Sequence, residues 1–198
     1  MNLPNKITMA RIFLSIALII MLVFPYEAVG VSIPEIVVGK SQITISITYL
    51  IGGILFLVAS LTDSLDGYIA RSRNLVTDFG KVMDAIADKV LVNGILIILA
   101  CDNRISPIVP VVIITRDIFV DSIKMVAGSN GKAVGASVLG KLKTICMMAG
   151  LTLVFFSNLP FELINIGVAS GLVYIATVLS LISGIQYYIV NKEFFKEK

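Results

Sequence analysis

Aspartates in one short segment are the residues of this sequence best suited to chemistry. The segment LTDSLDGYIARSRNLVTDFGKVMDAIADKV, residues 61–90, lies between apolar stretches and carries five of them: Asp63, Asp66, Asp78, Asp84 and Asp88. Asp63 and Asp66 are three residues apart and Asp84 and Asp88 are four apart, so each pair shares one face of a helix. A short turn after residue 71 would make the two helices antiparallel neighbours and bring the acidic faces together.

Four carboxylates in one place repel each other, and charged side chains within apolar helices usually face a cavity or a partner. Arg71 and Lys89 are too few to neutralise them, so hard divalent cations are the natural partners. Mg²⁺ is commonly held by carboxylates together with substrate phosphates, and Mn²⁺ prefers similar ligands. Two ions about 4 Å apart can clamp a phosphoryl group during its displacement. We predict a site for two Mg²⁺ or Mn²⁺ ions, with the ligands Asp63, Asp66, Asp84 and Asp88.

Residue types that are missing or isolated exclude several kinds of chemistry. Histidine is absent, which excludes serine–histidine and cysteine–histidine hydrolase schemes. Cys101 and Cys146 are far apart, and neither has the spacing of a zinc site or a disulfide framework. Any general base must therefore be a carboxylate, Lys, Tyr or Cys.

The elements that position these residues are predicted to be membrane helices. The chain is 57% hydrophobic and only 15% charged, whereas soluble domains are about 25% charged. Spanning a membrane takes about 20 apolar residues, and six segments are long enough: Ile7–Pro25, Ile43–Arg71, Phe79–Cys101, Ile105–Ala127, Ser137–Ser157 and Phe161–Val190. We predict an all-α integral membrane protein, with residues 1–198 forming one domain of six transmembrane helices. The first segment is expected to be a retained helix.

The distribution of Lys and Arg predicts the orientation of the helices. With both termini in the cytoplasm, the cytoplasmic flanks carry twelve of these residues and the opposite side only Lys40 and Arg104. The acidic segment then lies at the cytoplasmic side, and Glu27–Gln42 forms an outer loop. Topology and contact with anionic lipid headgroups explain the basic excess, so no nucleic-acid partner is indicated. We expect a bacterial inner membrane, and an organelle membrane derived from bacteria stays open.

The whole acidic pattern, D-x2-D-G-x2-A-R-x8-G-x3-D-x3-D, resembles the signature of the CDP-alcohol phosphatidyltransferase family. It matches at every fixed position: Asp63, Asp66, Gly67, Ala70, Arg71, Gly80, Asp84 and Asp88. The resemblance implies an integral membrane enzyme with six transmembrane helices that needs Mg²⁺ or Mn²⁺ and commonly forms a homodimer.

Two other segments resemble one branch of that family, the phosphatidylglycerophosphate synthases. Their P-N-x-x-T-x-x-R opening is matched by Pro4, Asn5, Thr8 and Arg11. Arg116-Asp117 and the run GKLKT, residues 140–144, resemble the R-E and G-K-x-K-T segments. Asn5, Thr8 and Arg11 would share a helix face that can meet a nucleotide. The alternative is that Asn5 caps the helix and Arg11 only anchors its topology.

The resemblance implies phosphatidyl transfer from CDP-diacylglycerol to sn-glycerol 3-phosphate, with Asp88 accepting the proton of the attacking hydroxyl. Seven residues are predicted to contact the CDP part: Asn5, Thr8, Asp63, Asp66, Gly67, Ala70 and Arg71. For the acceptor phosphate we expect Arg116 and Lys141, supported by Lys81 and Lys143. Arg116 could instead form a structural ion pair with Asp117 or Asp121, and Lys143 could belong to a solvated flank.

Departures from the branch pattern concern the acceptor side. Asp117 stands where these synthases usually have Glu, Ala85 where they usually have Pro, and Asp121 is an additional acid. Phosphatidylinositol-phosphate synthases also use a phosphorylated alcohol and stay open, whereas a serine acceptor, as in phosphatidylserine synthases, would not call for so many cations. A cation-coupled transporter is the alternative from another class. The position of the acids at a helix end and the lack of an inverted repeat disfavour it.

Overall fold

The computed structural model describes residues 2–38, 43–73, 75–129, 135 and 137–192, and most of them lie in helices. The six long helices are α1 (Leu3–Val23), α2 (Ile47–Ser72), α3 (Asp78–Cys101), α4 (Ile108–Ser129), α5 (Val138–Phe155) and α6 (Val168–Asn191). Two strands, β1 (Glu35–Val38) and β2 (Ile43–Ser46), precede α2, and short 3-10 turns cover Glu27–Val29 and Phe161–Ile164.

The prediction of an all-α membrane protein is confirmed in its main features, since each of the six apolar segments contains one long helix. Among the described residues, four helices are long and apolar enough to cross a membrane, namely α1, α2, α5 and α6. Helices α3 and α4 have similar lengths of 24 and 22 residues. They carry the charged residues of the two central segments, which lowers their apolar character.

An antiparallel hairpin before α2 corrects two predicted boundaries. Strand β1 pairs with β2 in a register that places Glu35 opposite Ser46 and Val38 opposite Ile43. The second apolar segment therefore begins as a strand at Ile43, and its helix starts only at Ile47. Both strands are rich in β-branched residues, which favour extended backbone over helix. The region predicted as an outer loop thus contains β1, while residues 39–42 lie outside the described part.

The sixth helix also begins later than its apolar segment. Phe161–Ile164 forms a 3-10 turn, and α6 starts at Val168. The buried side chain of Asn158 accounts for this boundary because it holds the connection between the helices. Its Nδ2 donates to the carbonyl of Ile166 at 2.7 Å, and its Oδ1 accepts a hydrogen bond from the backbone N–H of Ala169 at 2.9 Å.

The helices pack in a cyclic order, α1, α2, α5, α6, α4, α3, in which each helix has its main contacts with the two beside it. Phe155 of α5 marks the contact with α2, where its ring lies 5.6 Å from Phe56 and 6.0 Å from Tyr49, measured between centroids. Fully buried apolar side chains such as Leu18, Leu91 and Leu151 continue this core through α1, α3 and α5. The order makes the two charged helices, α3 and α4, direct neighbours.

Close approach of α5 and α6 depends on Gly150. A Cβ atom at this position would lie 2.9 Å from Val173 Cγ2 and 3.1 Å from the Val173 backbone nitrogen. The second distance involves backbone, which cannot rotate out of the way as a side chain can. On α6 itself, Gly171 has nothing within 4 Å of the position its Cβ would take.

We expect Gly150→Ala to lower the midpoint of thermal unfolding in detergent, because α5 and α6 must move apart. Overpacking of this kind costs about 1–3 kcal/mol. Gly171→Ala is the matched control, since alanine is the better helix former and has space there. Equal midpoints for the two variants would show that the α5–α6 contact is less tight than the distances at Gly150 indicate.

Candidate active site

Helix α3 begins at a point fixed by α1. Thr77 is the N-cap of α3, and its hydroxyl oxygen accepts a hydrogen bond from the Gly80 backbone N–H at 3.0 Å. The Nδ2 of Asn5 on α1 donates to the same hydroxyl oxygen at 3.1 Å. A Cβ at Gly80 would lie 2.6 Å from Asn5 Oδ1, so only glycine permits this contact. Asn5 therefore joins α1 to the start of α3.

Three of the predicted metal ligands come together where α1, α2 and α3 meet. Asp63, Asp66 and Asp84 each offer a carboxylate oxygen within 4.8 Å of the other two. Asp66 is buried, and its Oδ2 accepts a hydrogen bond from the Thr8 hydroxyl at 2.9 Å. Its Oδ1 is buried without a hydrogen-bond partner among the described residues. We call Asp63, Asp66 and Asp84 the acidic cluster.

Arg11 is the cation that the sequence analysis missed in this place. Its side chain is only 1% exposed, with Nη1 paired to Asp63 and Nη2 paired to Asp84. We expected Arg71 and Lys89 to be the nearby cations. Lys89 instead pairs with Asp121 of α4, and the side chain of Arg71 lies outside the described part of the structure.

A sequence signal for Arg11 existed in the three-residue spacing of Asn5, Thr8 and Arg11. Residues at this spacing lie along one helix face, and all three make contacts to α2 or α3. Because Asn5 and Thr8 both reach the acidic segment, the next residue on that face was the natural partner of its carboxylates. The interpretation of Arg11 as a mere topology anchor is wrong.

A cavity of about 270 Å³ opens beside the acidic cluster. Its lining includes Asn5, Thr8, Asp66, Gly67, Ala70 and Gly80. The small residues Gly67 and Ala70 line it together with Asp66. Most of the residues predicted to contact CDP therefore surround one space.

Lys81 lines the same cavity, so the structure places it with the predicted nucleotide contacts. Its ammonium group donates to Asp78 at 2.9 Å, and both side chains are largely exposed. Asp78 precedes the predicted span Phe79–Cys101, and the hydrogen bond from Lys81 holds the pKa of its carboxyl below the usual range.

The acidic cluster fits a hard divalent cation. Its donors are carboxylate oxygens, and one of them, Asp66 Oδ1, is buried with no other partner among the described residues. Asp88, the fourth predicted ligand, is partly buried and lies outside this group of three. The charges of Arg11, Asp84, Lys143 and Asp117 all act on Asp88.

A second charged group is formed by α4 and α5. Asp117 Oδ1 accepts from Arg116 Nη1 at 2.8 Å and from Lys143 Nζ at 2.8 Å. The side chains of Arg116 and Lys143 are each 11% exposed. We call Arg116, Asp117 and Lys143 the basic cluster, because two cations share one carboxylate and leave a net positive charge.

Lys141 and Lys143 differ in burial. Lys143 is buried in the basic cluster and is not part of a solvated flank, whereas Lys141 is exposed on the first turn of α5. The ion pair of Arg116 with Asp117, given above as the alternative to acceptor binding, is present. Asp121 pairs with Lys89 across α3 and α4, and nothing in the structure explains Ala85.

The chain is similar in sequence to known proteins. A family model for CDP-alcohol phosphatidyltransferases matches residues 1–182. The chain is 38% identical over 195 residues to the CDP-diacylglycerol–glycerol-3-phosphate 3-phosphatidyltransferase of Bacillus subtilis, covering 98% of this chain and 97% of that protein. Proteins with the same name from Mycoplasma genitalium and Rickettsia bellii are 36% and 32% identical, over 95% and 98% of this chain and 83% and 97% of theirs.

Arg11 and a divalent cation would compete for the same carboxylates, which predicts the effect of Arg11→Gln on metal binding. We expect the variant to bind Mn²⁺ about tenfold more tightly in the absence of substrate, equivalent to about 1.4 kcal/mol. Mn²⁺ titration of the purified protein in detergent, followed by electron paramagnetic resonance, measures this affinity.

The matched control is Lys6→Gln, which removes one positive charge from an exposed position of the same helix. Weaker binding by Arg11→Gln would contradict the competition and would mean that the guanidinium organises the carboxylates for the metal.

Proposed function

The chain belongs to the CDP-alcohol phosphatidyltransferase family, and we propose that it transfers the phosphatidyl group of CDP-diacylglycerol to sn-glycerol 3-phosphate. The products are phosphatidylglycerophosphate and CMP. Family membership makes the protein a membrane enzyme of phospholipid biosynthesis. The observation that carries the proposal is the acidic cluster, whose three carboxylates meet beside a cavity lined by Asp66, Asp84 and Gly67.

The cavity beside the acidic cluster would receive the CDP part of the donor. Its volume of about 270 Å³ is near the lower end of ligand pockets, roughly 300–1,000 Å³, which suits a nucleotide headgroup and leaves the acyl chains in the bilayer. Asn5 and Thr8 would contact the nucleotide from α1. On α2, Gly67 and Ala70 leave room for it, and Arg71 would approach its phosphates.

Asp63, Asp66 and Asp84 would hold Mg²⁺ or Mn²⁺, with Asp88 as a further ligand of a two-ion site. When bound, such ions screen the charge of the pyrophosphate and make its phosphorus more electrophilic. Arg11 contributes one fixed positive charge to the same place. Asp66, held by Thr8, keeps one carboxylate oxygen directed at the site without another hydrogen bond in the described structure.

Asp88 would act as the general base. It takes the proton of the acceptor hydroxyl as the hydroxyl oxygen forms a bond to the phosphorus that carries diacylglycerol. The bond from that phosphorus to the bridging oxygen breaks, and CMP leaves with the electron pair. Asp88 then returns the proton to solvent, so the carboxylate is regenerated.

The basic cluster would bind the phosphate of the acceptor. Arg116 offers a planar fork that matches phosphate oxygens, and Lys143 adds a second charge. Because Asp117 neutralises only one of these two cations, the cluster retains a positive charge that a phosphorylated acceptor would balance. Lys141 and Lys81 are more exposed and would contribute long-range attraction. A serine acceptor would leave the cluster unbalanced.

A phosphatidylinositol-phosphate synthase is the second candidate, because its acceptor also carries a phosphate. The basic cluster alone does not distinguish the two acceptors. The relatives named for glycerol 3-phosphate, which match this chain over nearly its whole length, favour the first.

We further propose that all six helices cross the membrane, with both termini and the acidic cluster on the cytoplasmic side of the cell's inner membrane. The excess of Lys and Arg on that side supports this orientation. The charged faces of α3 and α4 support their insertion, because the two helices are neighbours and can direct charge toward each other. The protein is proposed to function as a homodimer, as the resemblance to its family implies.

CMP release by the purified protein in detergent, with CDP-diacylglycerol and Mg²⁺, tests the proposed function. We expect release with glycerol 3-phosphate and little or none with serine or inositol phosphate. Asp88→Asn should lower the rate at least about 100-fold, because the general base is lost. Asp102→Asn, which removes an exposed carboxylate at the other end of α3, is the control. Release that requires another alcohol would refute the proposed acceptor.

Lys143→Met is expected to raise the KM for glycerol 3-phosphate roughly tenfold or more, since it removes a buried cation of the acceptor site. The KM for CDP-diacylglycerol should stay within about twofold of its original value. Lys141→Met provides the comparison, and its effect should be much smaller because Lys141 is exposed. A larger effect at Lys141 than at Lys143 would contradict this assignment. It would mean that the acceptor phosphate binds at the exposed start of α5.

A further inference from the structure

We propose that α6 positions Arg116 for the acceptor phosphate and that the Ser183 hydroxyl is the principal contact. This inference rests on the proposed function of the basic cluster. Arg116 Nη2 donates to Ser183 Oγ at 2.6 Å, and Arg116 Nε donates to the backbone carbonyl of Ser180 at 3.0 Å. The Ser183 hydroxyl also donates to that carbonyl at 3.0 Å, so its oxygen is oriented toward the guanidinium.

The helix face that meets Arg116 is unusual for an apolar helix. Ser180, Ser183, Gly184 and Tyr187 follow each other at helical spacing and are fully buried or nearly so. The Tyr187 ring lies 5.8 Å from the Arg116 guanidinium carbon, measured to its centroid. An apolar residue would be sufficient at each of these positions if α6 only packed against α4.

Gly184 lets the stem of Arg116 lie against α6. A Cβ at this position would be 3.0 Å from Arg116 Cγ, which is closer than an ordinary contact. The glycine and the serine therefore act on different parts of the same side chain. Gly184 gives space to the stem, and Ser183 orients the charged end.

The described hydrogen bonds of Arg116 leave N–H donors of its guanidinium that a phosphate can use. A guanidinium has five N–H donors, and the described contacts use one on Nε, one on Nη1 and one on Nη2. Within the described structure, one N–H on each terminal nitrogen has no such contact, and two N–H groups on neighbouring nitrogens can bind a phosphate in a bidentate manner. Without Ser183, the guanidinium would lose one of the three hydrogen bonds that fix its plane, the one that holds Nη2. Ser183 is thus a positioning residue that determines affinity for the phosphorylated acceptor.

The test compares KM values for both substrates in Ser183→Ala, Ser183→Thr and wild type, again by CMP release. We expect Ser183→Ala to raise the KM for glycerol 3-phosphate about tenfold, because a hydrogen bond to a charged group is lost. The KM for CDP-diacylglycerol should not change. Ser183→Thr keeps the hydroxyl and should restore most of the affinity. Gly184→Ala, which displaces the stem of Arg116, should raise the same KM by a different route.

Thr177→Val is the matched control on α6. Thr177 is also buried, but its hydroxyl donates to Val173 of its own helix at 2.8 Å. Ser183→Ala with an unchanged KM for glycerol 3-phosphate, or with an equal rise in both KM values, would overturn the inference. If Ser183→Ala does not fold, Gly184→Ala decides whether α6 positions Arg116, and an unchanged KM for glycerol 3-phosphate in that variant would overturn the inference.

The failure of the proposed function would look different. It would appear in the wild-type protein as a lack of CMP release with glycerol 3-phosphate. If wild type uses another phosphorylated alcohol, the same variants and the same comparison of KM values apply to that alcohol. A wild type that releases CMP only with alcohols lacking a phosphate would overturn both the proposed acceptor and the inference about α6.

Discussion

The buried guanidinium of Arg11 is the interaction on which the arrangement of α1, α2 and α3 depends. It pairs with Asp63 of α2 and Asp84 of α3 while its own side chain is almost fully buried. Removing a charge from water is costly unless it is paired and hydrogen-bonded, so these three helices can pack closely only in the register that keeps the pairs. Asn5 and Thr8 strengthen that register, because each adds a hydrogen bond from the same face of α1.

The need to pair every buried charge extends from the acidic cluster to α6, through residues whose charges alternate in sign. The charges of Arg11 and Lys143 both act on Asp88, and Asp117 joins Lys143 to Arg116. Arg116 is then held by uncharged groups of α6, the Ser180 carbonyl and the Ser183 hydroxyl. A charged network inside an apolar bundle must end in groups that provide hydrogen bonds without adding charge, and the serines of α6 meet that requirement.

The sequence predicted the helices and the acidic cluster because both depend on local spacing. Apolar length fixed the number of helices, and the aspartate pattern placed Asp63, Asp66 and Asp84 together. The partners of Arg11 and Lys143 were not predicted, since they depend on which helix faces meet across more than twenty residues of sequence. The hairpin was missed because β-branched residues such as those of Ile43–Ser46 suit both a strand and an apolar span. Ser183 gave no signal, because a serine in an apolar helix usually bonds its own backbone.

The cyclic order of the helices explains how a charged site can lie in a membrane protein without exposing its charges to lipid. A charged side chain that faces lipid is costly, and the four most apolar helices, α1, α2, α5 and α6, carry few such residues. The charges are concentrated on α3 and α4, which are neighbours in the ring, so Lys89 and Asp121 satisfy each other across their contact. α3 supplies Asp84 to the lining of the cavity, and α4 supplies Arg116 and Asp117 to the basic cluster. With Asp88 as the proposed base and the basic cluster as the proposed acceptor site, the contact between α3 and α4 would set the distance between the two. A change in this packing would then alter the reaction without altering any residue that binds substrate.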